Sequence, residues 1–108
     1  MSNAQEQSRI RELNDTFRKT FAGGTVVMSA SVAALPDMVK SAALPKVAEF
    51  DAFDADNDPH HEHDFGSFEL AGDKYFFKID LYEEPDVKSA NGEPLVTRVL
   101  TIMLAEEY

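Results

Sequence analysis

From Glu6 to Phe21 the apolar residues Ile10, Leu13, Phe17 and Phe21 recur every three or four positions among arginine, lysine, asparagine and aspartate, the period of an amphipathic helix. Gly23 and Gly24 end it, and Thr25 to Ser29 is β-branched and apolar enough for a short buried strand. Val32 to Leu35 reads as a helical turn. Pro36 and Asp37 then resemble a helix start, because proline is tolerated in a first turn and an acid suits the positive end of the dipole. The helix runs to about Phe53 on Met38, Val39, Ala42, Ala43, Val47, Phe50 and Phe53, with a kink or split near Ala43 because Pro45 removes a backbone donor.

Beyond an acidic segment the period falls to two. Gly66 to Leu70 alternates, Ala71 to Asp73 supplies turn chemistry, and Lys74 to Tyr82 alternates again, with Tyr75, Phe77, Ile79 and Leu81 opposite Phe76, Lys78, Asp80 and Tyr82. This is a β-hairpin. Glu84 to Pro94 reads as an exposed connection, and Leu95 to Leu104 as a final strand with Val96, Leu100, Ile102 and Leu104 on one face. The order α-β-α-β-β-β predicts an α+β fold: an antiparallel sheet of about four strands, with two main helices packed on one face. No internal repeat is present.

The 108 residues suit a single domain over 1–108, with residues 1–6 flexible, and eight phenylalanines supply a core. No apolar run is long enough for a membrane span and the N-terminus lacks a secretory layout, so a soluble, cytoplasmic protein is expected. With no cysteine, disulfides, thiol nucleophiles and cysteine-ligated metals are excluded. Net charge is −10, and residues 1–22 hold four bases against three acids, so the acidity belongs to the rest of the chain. Such a surface repels nucleic-acid phosphates and attracts a basic protein surface, or serves solubility alone.

Seven carboxylates and three histidines lie between Glu49 and Asp64 without a lysine or arginine. Asp54, Asp56 and Asp58 open like a calcium loop, but Pro59 and Phe65 stand where its glycine and bidentate glutamate belong. A looser divalent-metal site of His61, His63, Asp58 and Asp64 is one reading. His63, flanked by Glu62 and Asp64, acting as a general base is another. In a third, Asp56, Asn57, Asp58 and Asp64 serve the local chain as caps and Asx-turns around Pro59. In the leading reading Asp54, Asp56, Asp58, Glu62 and Asp64, with Asp80, Glu83 and Glu84 from the hairpin and its exit, form a negative recognition surface.

The blocks Ile10–Asp15, Gly23–Met28, Ala34–Pro36, Asn57–Pro59, Glu62–Gly66 and Thr97–Tyr108 resemble, in this order, the small bacterial family of domain of unknown function 3768. The resemblance implies no activity. It implies an alphaproteobacterial, mobile-element setting, and the Glu62, His63, Asp64 and Gly66 positions match its pattern, whereas His60 and His61 look particular to this chain. The expectation is a small acidic interaction module without a cofactor, an inhibitor or regulator that presents a nucleic-acid-mimicking surface to a basic, nucleic-acid-binding host protein. The alternative is a metal-binding protein or metal-dependent enzyme. The final strand, if exposed, can pair across a homodimer.

Overall fold

The computed structural model describes residues 4–88, 92 and 94–108. Helix α1 (Ala4–Thr20) leads through β1 (Thr25–Met28) and a short α2 (Ala30–Ala33) to α3 (Asp37–Glu49). After the acidic segment come β2 (Phe65–Leu70), β3 (Asp73–Lys88), β4 (Pro94–Leu104) and a 3₁₀ turn over Ala105–Glu107. The fold is α+β, and among the described residues no helix is long and apolar enough to cross a membrane.

The period-two stretches form the expected hairpin, in register from Phe65 opposite Lys78 to Leu70 opposite Asp73. Ala71 and Gly72 both adopt positive φ, 53° and 85°, as the turn matching the twist of the two strands requires. The sheet, however, is mixed rather than antiparallel. Its order is β1-β4-β3-β2, and β1 runs parallel to β4 with Thr25 opposite Val99 and Met28 opposite Ile102. A four-residue strand carries no local mark of its partner, and the intervening helices and hairpin supply the crossover that a parallel pair needs. β4 is therefore no free edge: over Val99–Ile102 both its sides are occupied, which removes pairing of that segment across a dimer.

Other expectations shift too. A separate helix forms at Ala30–Ala33, where the Ser29 hydroxyl accepts the Val32 N–H at 3.3 Å, so the order gains an element. α3 passes Pro45 unbroken, anchored by fully buried Ala43 and Val47, and stops at Glu49 rather than Phe53. The connection expected from Glu84 is strand as far as Lys88, and resumes as β4 at Pro94. Positions 89–91 and 93 of that connection lie outside the described residues.

All three helices cover one face of the sheet: Phe17, Val32 and Val47 meet Tyr75, Phe77, Ile79, Leu100 and Ile102 in one cluster. Gly66 matters here, since a β-carbon would collide with the rings of Phe77 and Phe50. α1 is turned from its expected orientation. Leu13 is 42% exposed, while Asn14, Phe17 and Arg18 are almost completely buried.

Candidate functional site

The polar stripe Arg11, Asn14, Asp15 and Arg18, at helical spacing, grips the segment that ends α3 and carries the acidic run. The Arg18 guanidinium donates to the carbonyls of Val47 (2.8 Å), Ala48 (3.2 Å) and Phe50 (2.7 Å), and to Asp15 Oδ1 (2.9 Å). Val47 and Ala48 lie in the last turn of α3, where carbonyls run short of backbone donors, and Phe50 is the residue that leaves the helix, so Arg18 caps this end. Asn14 donates to the Glu62 carbonyl (3.0 Å) and accepts from Arg98 Nε (3.0 Å), tying loop to sheet. Arg11 reaches the His61 carbonyl at 3.3 Å.

Within the loop, Asp54 Oδ1 accepts the N–H groups of Asp56 and Asn57 at 2.9 and 3.0 Å, and Asn57 Oδ1 accepts that of Asp54 at 2.9 Å. Asp58, only 3% exposed, accepts the N–H groups of Glu62 (2.9 Å) and His63 (3.1 Å). Those bonds hold His61 and His63 at φ of 57° and 54°, a left-handed conformation that costs a non-glycine residue about 1 kcal/mol or more. The His63 ring stacks on Phe53 with centroids 3.8 Å apart. Its Nδ1 lies 2.9 Å from Asp15, and Nε2 lies 3.6 Å from Asp58. Asp15 thus orients the ring through Nδ1, while Nε2 stands beyond hydrogen-bond distance of Asp58, on an open cleft also lined by Asp15, Arg18 and Phe53. Burial opposes ionisation of Asp15, but hydrogen bonds and charge from Arg18 and His63 outweigh it and hold the carboxyl below its ordinary value.

On the far side of the loop an open groove of about 540 Å³ lies between the acidic turn and the uncovered face of the sheet. Asp54, Asp56 and His60 form one wall, and Asp64, Lys78 and Asp80 form the other. Register brings the last three together, since Ile79 N–H donates to the Asp64 carbonyl at 2.8 Å and Phe65 stands opposite Lys78. Lys78 lies 3.2 Å from Asp80, leaving the other acids without a cation in the groove. Its apolar end is Phe65 and Tyr108, whose rings sit 5.5 Å apart, with Phe76 behind at 5.0 and 5.4 Å. The C-terminal turn holds Tyr108 there through Glu107, which accepts from Ser29 Oγ (2.6 Å) and Leu104 N–H (2.8 Å). Burial, followed by the charges of Asp58 and Asp80, raises the Asp64 carboxyl above its ordinary value. Burial and the charges of Asp64 and Asp58 do the same to Glu62.

The expected recognition acids thus divide. Asp54, Asp56, Asp64 and Asp80 converge on the groove, Glu62 lies beside them half-buried, and Glu83 is exposed further along β3. The Glu84 side chain lies outside the described residues. Asp58 must be removed from the surface, because its carboxylate is turned inward to the loop's own N–H groups. The metal quartet His61, His63, Asp58 and Asp64 is not assembled: among the described residues no group of three or more histidines and acids is disposed to hold an ion. His61 and His63 both adopt left-handed backbone, so they do not share one side as residues two apart do in an extended segment. Sequence reading passed over Asn14, Asp15, Arg18, Lys78 and Tyr108. The polar stripe at 11, 14, 15 and 18 was the signal available for the first three.

Residues 28–107 match the family described as Protein of unknown function (DUF3768). Among curated proteins and among solved structures, nothing matches the chain.

Proposed function

We propose that this chain, which belongs to that family of proteins of unknown function, is a small acidic interaction module whose groove receives an arginine- or lysine-bearing segment of a basic protein. The observation that carries the reading is the convergence of Asp54, Asp56, Asp64 and Asp80 around one lysine, above the Phe65–Tyr108 wall. Asp64, raised by burial and by the charges of Asp58 and Asp80, gains from a cation, and aromatic faces favour a guanidinium laid against them. The role this suits is inhibition or regulation of a nucleic-acid-binding protein, whose phosphate-binding surface is basic for the same reason.

The test is the affinity of an arginine-rich peptide for the full chain, followed across salt concentration. The double substitution Asp64→Asn with Asp80→Asn should weaken binding at least tenfold. Removing the same charge at exposed Asp37 and Glu69 should weaken it two- to threefold at most. Equal losses for the two pairs would reduce the acidity to a diffuse charge and defeat the reading. Parallel titrations with zinc and manganese examine a divalent metal as the groove's occupant, and saturation with one ion per chain would replace the peptide reading.

A further inference from the structure

β2 covers only part of the strand beside it. It has six residues against sixteen in β3 and ends opposite Lys78, with one further bond from the Ile79 N–H to the Asp64 carbonyl at 2.8 Å. The chain before β2 turns away towards α1, where Asn14 holds the Glu62 carbonyl and the His63 backbone is left-handed. β3 continues past this point, paired on its other side with β4 from Leu81 opposite Arg98 to Glu84 opposite Leu95. Because the Ile79 N–H faces the β2 side, the alternation of a strand turns those of Leu81 and Glu83 the same way. Among the described residues nothing accepts them. This bare edge opens from the acidic groove, whose lining includes Lys78, Ile79 and Asp80. Asp80 and Tyr82, the latter 52% exposed, stand on the groove side of β3, and Leu81, 44% exposed, on the side of the helices.

We infer that the basic segment binds here as an added antiparallel strand, continuing the line of β2 along Leu81–Glu83; the inference rests on the groove reading above and specifies its geometry. Charge selects this occupant over a second copy. Pairing this edge with itself crowds Asp80, Glu83 and Glu84 of one chain against those of the other, and like charges across strands repel. Pro85, which has no N–H, and the register irregularity between Glu84 and Lys88 limit the usable edge. A basic strand meets the opposite arrangement. Its residue opposite Leu81 exchanges both backbone bonds with it and turns its side chain to the helix side, where an apolar residue fits. The two neighbours of that residue turn towards the groove, opposite Asp80 and Tyr82, where arginine meets a carboxylate and an aromatic ring. The pattern recognised is therefore basic, apolar, basic in an extended chain. β4 already holds the edge in strand conformation, so binding has only the incoming segment to order.

The test uses the full chain and a short blocked peptide in which valine and arginine alternate. Two further versions carry N-methyl groups, one on every valine nitrogen and the other on every arginine nitrogen. In this geometry the valine nitrogens face β3 and the arginine nitrogens face away. The first version should therefore bind about tenfold or more weakly than the plain peptide, and the second within about threefold of it. Amide hydrogen exchange supplies a second readout: the Leu81 and Glu83 amides exchange fast in the free chain and should slow by about tenfold or more when the plain peptide saturates it. Equal affinity for the two methylated versions, with Leu81 and Glu83 still exchanging fast, overturns the added strand and leaves a side-chain contact in the groove. Absence of binding by the plain peptide overturns the groove reading and the added strand together, so the two failures are told apart.

Discussion

Replacing Asp58 with alanine isolates the element that shapes the acidic loop. One buried carboxylate oxygen accepts two backbone N–H groups, from Glu62 and His63, and the other oxygen faces the His63 ring. Hydrogen bonds to a charged group are worth about 1.5–3 kcal/mol each, and alanine leaves both donors behind in a part-buried site. The expected loss is about 3–5 kcal/mol, a large share of the roughly 5–15 kcal/mol that holds a domain of this kind together. Asp58→Asn keeps one acceptor oxygen and should lose about half as much. Asp54→Ala removes a similar pair of bonds in an exposed turn, where water replaces them, and should cost about 1 kcal/mol or less. Urea unfolding followed by far-ultraviolet circular dichroism reads all three on one scale. An Asp58→Ala loss below about 1 kcal/mol, or one equal to that of Asp54→Ala, would refute the claim that this carboxylate organises the loop.

Arg18→Lys retains the charge but not the fork that spans three carbonyls and Asp15, so a stability loss of about 2–4 kcal/mol is expected in the same assay; an unchanged midpoint would contradict the cap. His61→Gly relieves a left-handed backbone at an exposed side chain and should leave the protein at least as stable, gaining up to about 1 kcal/mol; a clear loss would mean that the ring has a structural partner. Stability should also follow pH in two stages. Asp15, held below its ordinary value, stabilises fully above its unfolded pKa, and that contribution is lost as pH falls through its folded one. Glu62 and Asp64, raised by burial and neighbouring carboxylates, destabilise the fold while charged and are relieved by protonation. Thermal melts should therefore show a shallow rise as pH falls from neutral towards the carboxyl range near about 4, then a steep fall below it; a monotonic decline from neutrality would contradict the crowding at Asp64.

Local periodicity made the hairpin legible, because alternation at Gly66–Leu70 and Lys74–Tyr82 and the Ala71–Gly72 turn agree on one register. It revealed α1 but misjudged its facing. Asn14 and Arg18 read as solvent residues because they are polar, yet their partners are the Glu62 and Val47 carbonyls, 48 and 29 residues along the chain. Nothing within one helix reports such partners. The same limit hid the parallel pairing of β1, which depends on β4 more than seventy positions later. For the site, composition located the acidic run, while burial decided which acids remain available. Asp58 is spent on the loop's backbone, whereas Asp54, Asp56 and Asp64 meet Asp80 and Tyr108, which only the sheet register and the C-terminal turn bring beside them.

The most direct test of the acidic groove as the recognition surface is a nuclear magnetic resonance titration of the ¹⁵N-labelled chain with an arginine-rich peptide. The account predicts saturable shifts concentrated at Asp54, Asp56, Asp64, Phe65, Lys78–Asp80 and Tyr108, with Asp37, Glu69 and the α1 backbone left in place. Shifts spread evenly over every exposed acid, or centred on a surface that excludes the groove, would contradict it.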